Sequence, residues 1–259
     1  MSFEDYFINT SNKKIILRHD VDLLPANAFK LAKIENDLGL RASYHFRIVK
    51  DSNDPENIKK IADFGHEIGY HYEDLILAAK YLKPIKSQLT KEANNEILYK
   101  TACESFTRNL FYFRQFYPVK VISMHGSPKS KFDSRDIWKK YNYKDYGIIC
   151  EPYFDIDYSK VLYLTDTGRK WNGERFNLRD KVVSGFGSTS GNPLSDKFLF
   201  GSTYDIIFSA QNLELPNQIL INTHPQRWTD SSIPWVKELV WQNVKNAGKY
   251  FLIKVRSRQ

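Results

Sequence analysis

Residues 15–22 read IILRHDVD: three apolar residues run straight into an arginine, a histidine and two aspartates, and Leu23, Leu24 and Pro25 follow. The apolar run reads as a buried strand whose carboxyl end carries the charges. Carboxylates are seldom fully buried unless they are paired or bound to metal. Side chains two apart on a strand point to the same side, so Asp20 and Asp22 can face one pocket. Like charges that close raise one pKa unless a cation sits with them. A divalent metal resolves the conflict, with one carboxylate as ligand and the other free to take a proton. The plainer alternative is a strand end breaking into solvent.

Working outward, apolar or β-branched runs recur at Lys14–Leu17, Ala42–Val49, Glu67–His71, Val119–Met124, Gly147–Cys150, Val161–Thr165, Gln218–Asn222 and Tyr250–Val255. Helical patterns lie between the early ones. Ala26 to Leu38 puts Ala28, Leu31, Ala32, Ile34 and Leu38 on one face and stops at Gly39; Asn57 to Phe64 stops at Gly65; Leu89 to Phe116 is one long helical stretch. Short strands alternating with helices predict βαβ units and a mainly parallel sheet. In such folds functional groups collect beyond the carboxyl ends of the strands. His71, His125 and His224 each close an apolar run there, as Asp20 and Asp22 do. No repeat or linker interrupts the chain, which predicts one domain over residues 1–259. The polar, Gly-rich stretch from Trp171 to Pro193 reads as a loop-rich insertion around 165–195.

Three stretches taken together, RHDVD, ASYHFR and GHEIGYH, resemble in order and spacing the polysaccharide deacetylase family of carbohydrate esterases. GHEIG followed two places later by His71 is the most specific part. The likeness covers residues 13 to 75 and extends loosely to Thr223-His224. It implies an α/β fold, a distorted (β/α) barrel of about seven strands, and a hydrolase acting on carbon–nitrogen bonds with a divalent metal, zinc, as cofactor. Carried over residue by residue, Asp20 matches the catalytic base, Asp22 the metal-binding aspartate and His71 the first histidine of a metal-binding His-x-x-x-His. The second histidine of that motif falls on Leu75. Two ligands alone hold zinc poorly. Asp74 is one replacement, because i,i+3 on a helical turn shares a face. His125 is the preferred one, because borderline metals favour imidazole. It could instead orient Asp20, and a degenerate site without metal is the remaining alternative.

His224 is the candidate general acid, since imidazole titrates near neutrality. Arg227 and Trp228 follow it, and Trp228 is a candidate for the pocket mouth. Arg135, Arg169 and Arg179 lie in motifs dense in Arg, Asp and aromatics and are candidate substrate contacts. His19 should point away from Asp20, His66 should lie at the far end of its strand, and His45 reads as structural.

The 259 residues, 42% hydrophobic and 15% aromatic, can bury a sizeable core. A net charge of +8 favours anionic partners, but the basic residues are scattered and form no arginine-rich arm, so nucleic acid is not expected. The two cysteines cannot build a disulfide framework. No stretch is long and apolar enough to span a membrane, and the first residues lack the pattern of a signal peptide, so a cytoplasmic location is expected. The expected function is therefore metal-dependent deacetylation of an N-acetylated sugar, nucleotide- or lipid-linked, in surface polysaccharide synthesis. The rival readings are a non-catalytic carbohydrate-binding protein and a metal-free amidohydrolase on a small amide.

Overall fold

The computed structural model describes residues 1–83, 91–127, 130–169, 171, 194 and 197–256. Among them are six strands: β1 (Lys14–Val21), β2 (Ser43–Phe46), β3 (Glu67–Tyr72), β4 (Ile122–Met124), β5 (Leu162–Thr165) and β6 (Gln218–Thr223). They form one sheet in the order β4-β3-β2-β1-β6-β5, and every neighbouring pair is parallel. The strands are buried on both faces, as parallel sheets require.

Helices make the crossovers. After Asp22 the chain leaves β1 abruptly through Leu24, whose φ of 53° is a left-handed conformation costly for a leucine. Pro25 then opens α2 (Pro25–Asp37), and Gly39, at φ 68°, ends the turn behind it. The Asp54 side chain accepts from the Asn57 N–H to cap α3 (Pro55–Asp63). After β3 come α4 (Asp74–Tyr81) and the long α5 (Lys91–Phe113). The short α6 (Pro152–Asp155) precedes β5; α7 (Thr203–Gln211) and α8 (Ser232–Arg256) flank β6 in the chain.

The sheet curls. Val121, beside β4 at one edge, shares an apolar cluster with Val161 and Tyr163 at the other edge and with Ile16 and Leu220 from the middle strands. Phe3, fully buried on α1 (Phe3–Ile8), completes this cluster and plugs the end where the strands begin. There the Phe3 N–H donates to Ser43 Oγ at 3.0 Å and the Glu4 N–H donates to Glu67 Oε2 at 2.8 Å. Burial drives Glu67 up to about 7 despite bonds from the Ser43 hydroxyl and the Glu4 N–H.

Above this plug the register stacks polar side chains in layers. Arg18 lies beside Ser43 and Asn222, and Asp20 beside His45. His45 in turn lies beside Gly69, and a Cβ there would fall 2.3 Å from the His45 ring. The glycine lets the imidazole lie against the strand. Neither ring nitrogen of His45 has a hydrogen-bond partner, and burial, with Arg18 nearby, keeps the ring neutral by holding its pKa well down.

Two sequence expectations need correcting. The sheet has six strands among the described residues, because Gly147–Cys150 contributes only an isolated parallel bridge, Cys150 to Val121. Tyr250–Val255 is not a strand but the end of α8. A short apolar run does not reveal its own period, and no turn signal separates this one from the helix before it. The insertion expected around 165–195 falls mostly outside the described residues. No described helix is long and apolar enough to cross a membrane.

Candidate active site

The residues singled out at the strand ends converge. Asp22, just past β1, has its Oδ1 atom 3.6 Å from His71 Nε2 on β3 and 3.6 Å from His125 Nε2 just past β4. Its Oδ2 atom stands 3.9 Å from His224 Nε2, just past β6, and accepts a long bond from the Gln226 amide at 3.4 Å. Asp20 Oδ2 lies 3.8 Å from His71 Nε2. Four stretches of chain separated by up to 204 residues thus meet at one point.

Each side chain is oriented from behind. Arg18 grips Asp20 through two bonds of 2.8 Å, and the Asn222 amide donates to Asp20 Oδ2 at 2.9 Å. Burial alone would raise the Asp20 pKa, but the Arg18 guanidinium holds it well below the usual carboxylate range. His71 Nδ1 donates to the Ser123 carbonyl at 2.9 Å, which leaves its Nε2 lone pair bare. Burial pushes this imidazole down to about 4, so it stays neutral. His125 Nδ1 bonds Glu73 Oε2 at 3.1 Å, and Arg47 holds the same carboxylate from its other side. Burial opposes ionisation of Glu73, yet the His125 bond and Arg47 bring it down to about 2. His224 Nδ1 bonds Asp166 Oδ1 at 2.6 Å, and Asp166 also takes Arg227 at 2.7 Å and the Trp228 indole at 2.8 Å.

A carboxylate and imidazoles are the kind of donors that hold a divalent metal. Asp22 Oδ1 is buried and has no hydrogen-bond partner, and an unpaired buried carboxylate oxygen facing imidazole nitrogens is costly without a cation. Among the described residues no group of three or more His, Cys, Asp or Glu is placed to hold a metal ion. The nearest approach is Asp22 Oδ1 with the Nε2 atoms of His71 and His125, which stand wider apart than a closed cage would have them. Tetrahedral zinc with bonds of ~2.1 Å places its ligand atoms about 3.4 Å apart, and the two separations here are 3.6 Å. Of the two replacements considered for Leu75, His125 stands beside Asp22. Asp74, the other replacement, does not. It accepts from Tyr70, Ser105 and Asn109 and ties α4 to α5. Leu75 is buried in a separate apolar cluster with Ala78, Leu98 and Ile137.

The remaining expectations divide. His19 turns outward to Thr223 and Glu35, and His66 lies at the far end of β3 against the Ala32 carbonyl. Arg169 and Trp228 line a cavity beside Asp166. Arg135 is committed to Asp133 and stacks on Tyr153, whose ring also carries Arg18, so it stands one ring removed from the site. Arg179 lies outside the described residues. Sequence reading missed Glu73, Asp166, Asn222 and Arg47. Glu73 and Asn222 were within reach, since each sits two residues from a named histidine on the same strand side.

No family model matches the chain, and no curated protein matches it. A mutant of a CE4 family pseudoenzyme with restored enzymatic activity superposes at a TM-score of 0.40 and 12% identity, over 93% of this chain and 65% of that one. The Xyl-CE4 domain of a multidomain xylanase from the hindgut metagenome of Trinervitermes trinervoides superposes at 0.38 and 13% identity, over 92% of this chain and 85% of that one. The chain thus spans 65% of the first of these structures.

Proposed function

We propose that the protein is a metal-dependent N-deacetylase acting on an N-acetylated sugar or glycan intermediate. One observation carries the reading: a buried, partnerless Asp22 oxygen faces the bare nitrogen of His71 and the Nε2 of His125, between an oriented carboxylate and an oriented imidazole. Asp22, His71 and His125 would hold the metal. When bound, it would supply a Lewis acid for the acetyl carbonyl and lower the pKa of a water.

The rest is done by the chain. Asp20, kept ionised by Arg18, takes the proton of the attacking water as the new carbon–oxygen bond forms. Asn222 and the Arg18 fork fix where its Oδ2 points. His224, aimed by Asp166, delivers a proton from Nε2 to the nitrogen as the carbon–nitrogen bond breaks. The burial of Asp20, His71 and His224 excludes bulk water and strengthens each of these interactions. Acetate and a free amino sugar are the products.

The test is metal analysis of chelator-free protein together with acetate release from N-acetyl sugars. Stoichiometric metal, lost with all acetate release in Asp22→Ala and in His71→Ala, is the expected result. Acetate release that persists without metal would overturn the metal-dependent mechanism and favour the metal-free amidohydrolase. Metal without acetate release from any N-acetylated sugar would overturn deacetylation.

A further inference from the structure

Beside the His224–Asp166 pair lies a cavity of about 220 Å³, walled by Trp171, Trp228 and Trp235 and by Arg169 and Arg227. We propose that it is a subsite for an anionic group, a phosphate or a carboxylate, carried by the substrate on or next to a flat ring. The inference rests on the sugar-deacetylase reading for the identity of that substrate, but not for the binding of the anion.

Charge supports it first. Asp166 also lines the cavity, but its oxygens are taken by His224, Arg227 and Trp228, so its charge is already matched by Arg227. Arg169 remains over. Its guanidinium stacks on Trp235 at 4.9 Å, and its Nη1 atom is buried without a hydrogen-bond partner among the described residues. A desolvated guanidinium donor left open costs free energy that an incoming anion offsets through a charge-assisted, forked bond. The backbone holds it there against its own preference: Arg169 has φ 59°, a conformation bulky residues avoid, and its N–H is tied to the Asp166 carbonyl at 2.8 Å.

Shape supports it second. Trp171 and Trp228 lie with ring centroids 6.4 Å apart, and Trp228 is 42% exposed although its indole N–H is fixed on Asp166. Indole faces held this way stack on flat rings. The cavity is smaller than the roughly 300–1,000 Å³ of pockets that enclose a drug-sized ligand. It therefore takes one ring or one charged substituent, while the acetamide reaches the metal ligands. Because Asp166 belongs to both places, the subsite lies on the leaving-nitrogen side of the reaction.

The experiment titrates the full chain with inorganic phosphate and, separately, with glucuronate and neutral glucose, reading tryptophan fluorescence and heat. Saturable binding of at least one anion is expected, with glucose weaker. Arg169→Asn, which suits the left-handed backbone, should weaken anion binding by about tenfold or more, and Arg169→Lys should keep part of it. The preferred anion tells a sugar phosphate from an acidic sugar. No saturable anion binding, or unchanged affinity in Arg169→Asn, overturns the subsite. Acetate release from N-acetylglucosamine 1-phosphate and from N-acetylglucosamine separates the two claims. A higher KM for the phosphorylated substrate alone in Arg169→Asn supports the subsite. Acetate release with an unchanged KM ratio sinks the subsite and leaves deacetylation standing. Arg169-dependent anion binding without any acetate release does the reverse.

Discussion

Where the strands begin, Glu67 is buried under α1 with a hydroxyl and a backbone N–H as its donors, and its Oε1 atom has no partner at all. Where the strands end, Asp20 is as deeply buried but sits in the fork of Arg18, and Asp22 sits among three imidazoles. Burial raises the pKa of all three. At the first end it wins, and Glu67 rises to about 7; at the second, Arg18 beside Asp20 and the imidazoles around Asp22 win, and both aspartates fall. The same carboxyl group thus serves as a protonatable plug at one end and as a permanent charge at the other. The difference lies in what the facing strands supply.

The sharpest way to break this contrast is to remove the permanent charge. Asp20→Asn keeps the size and the Asn222 layer but loses the proton acceptor. Steady-state acetate release should fall by about 10²–10⁴-fold in kcat while metal content stays unchanged. A drop below tenfold would mean that Asp20 is held by Arg18 for structure alone.

The plug is tested by pH and stability. The folded pKa of Glu67, about 7, lies above its unfolded value near 4.5, so the native state binds the extra proton between them. Its stabilisation is full below the unfolded value and is lost as pH rises through 7. Across that window the loss amounts to about 3 kcal/mol at most. Glu67→Gln should flatten the fall in Tm between pH 5 and 8 relative to the parent, without changing acetate release at constant pH. An unaltered slope would show that Glu67 ionises normally.

A smaller effect is expected behind His125, the proposed third ligand. Glu73→Gln keeps an acceptor for His125 but cancels the charge shared with Arg47. Metal affinity, measured by competition with a chelator, should weaken by about tenfold, the low end for residues that orient a ligand. Unchanged affinity would remove His125 from the ligand set.

The comparison also explains what could be read in advance. All six strands and the pair in IILRHDVD announce themselves through apolar runs. β5 is among them, but its Asp166 was not singled out because a single aspartate after YLT has no pattern of its own. Its role depends on register with β6, which brings it to a histidine 58 residues away. Arg47 likewise acquires meaning only through Glu73, 26 residues on. Ligands occur at strand tips and leave a periodic trace. Their supports come from neighbouring strands, and their spacing follows loop lengths rather than chemistry. Tyr250–Val255 shows the converse limit, since an apolar run carries no topology until something packs on it.

Gly69 has a reach beyond its own strand. It is the blank surface on which His45 rests, and Phe3 closes the far side with ring centroids 5.8 Å apart, while His71 lies 6.5 Å away toward Asp22. A single methyl group grafted onto that blank would push an uncharged ring upward into the working imidazole. On the proposed metal-dependent reading, the damage would surface as weakened cation capture although Asp22, His71 and His125 are intact, so a change deep in the interior would masquerade as a lesion of the chemistry.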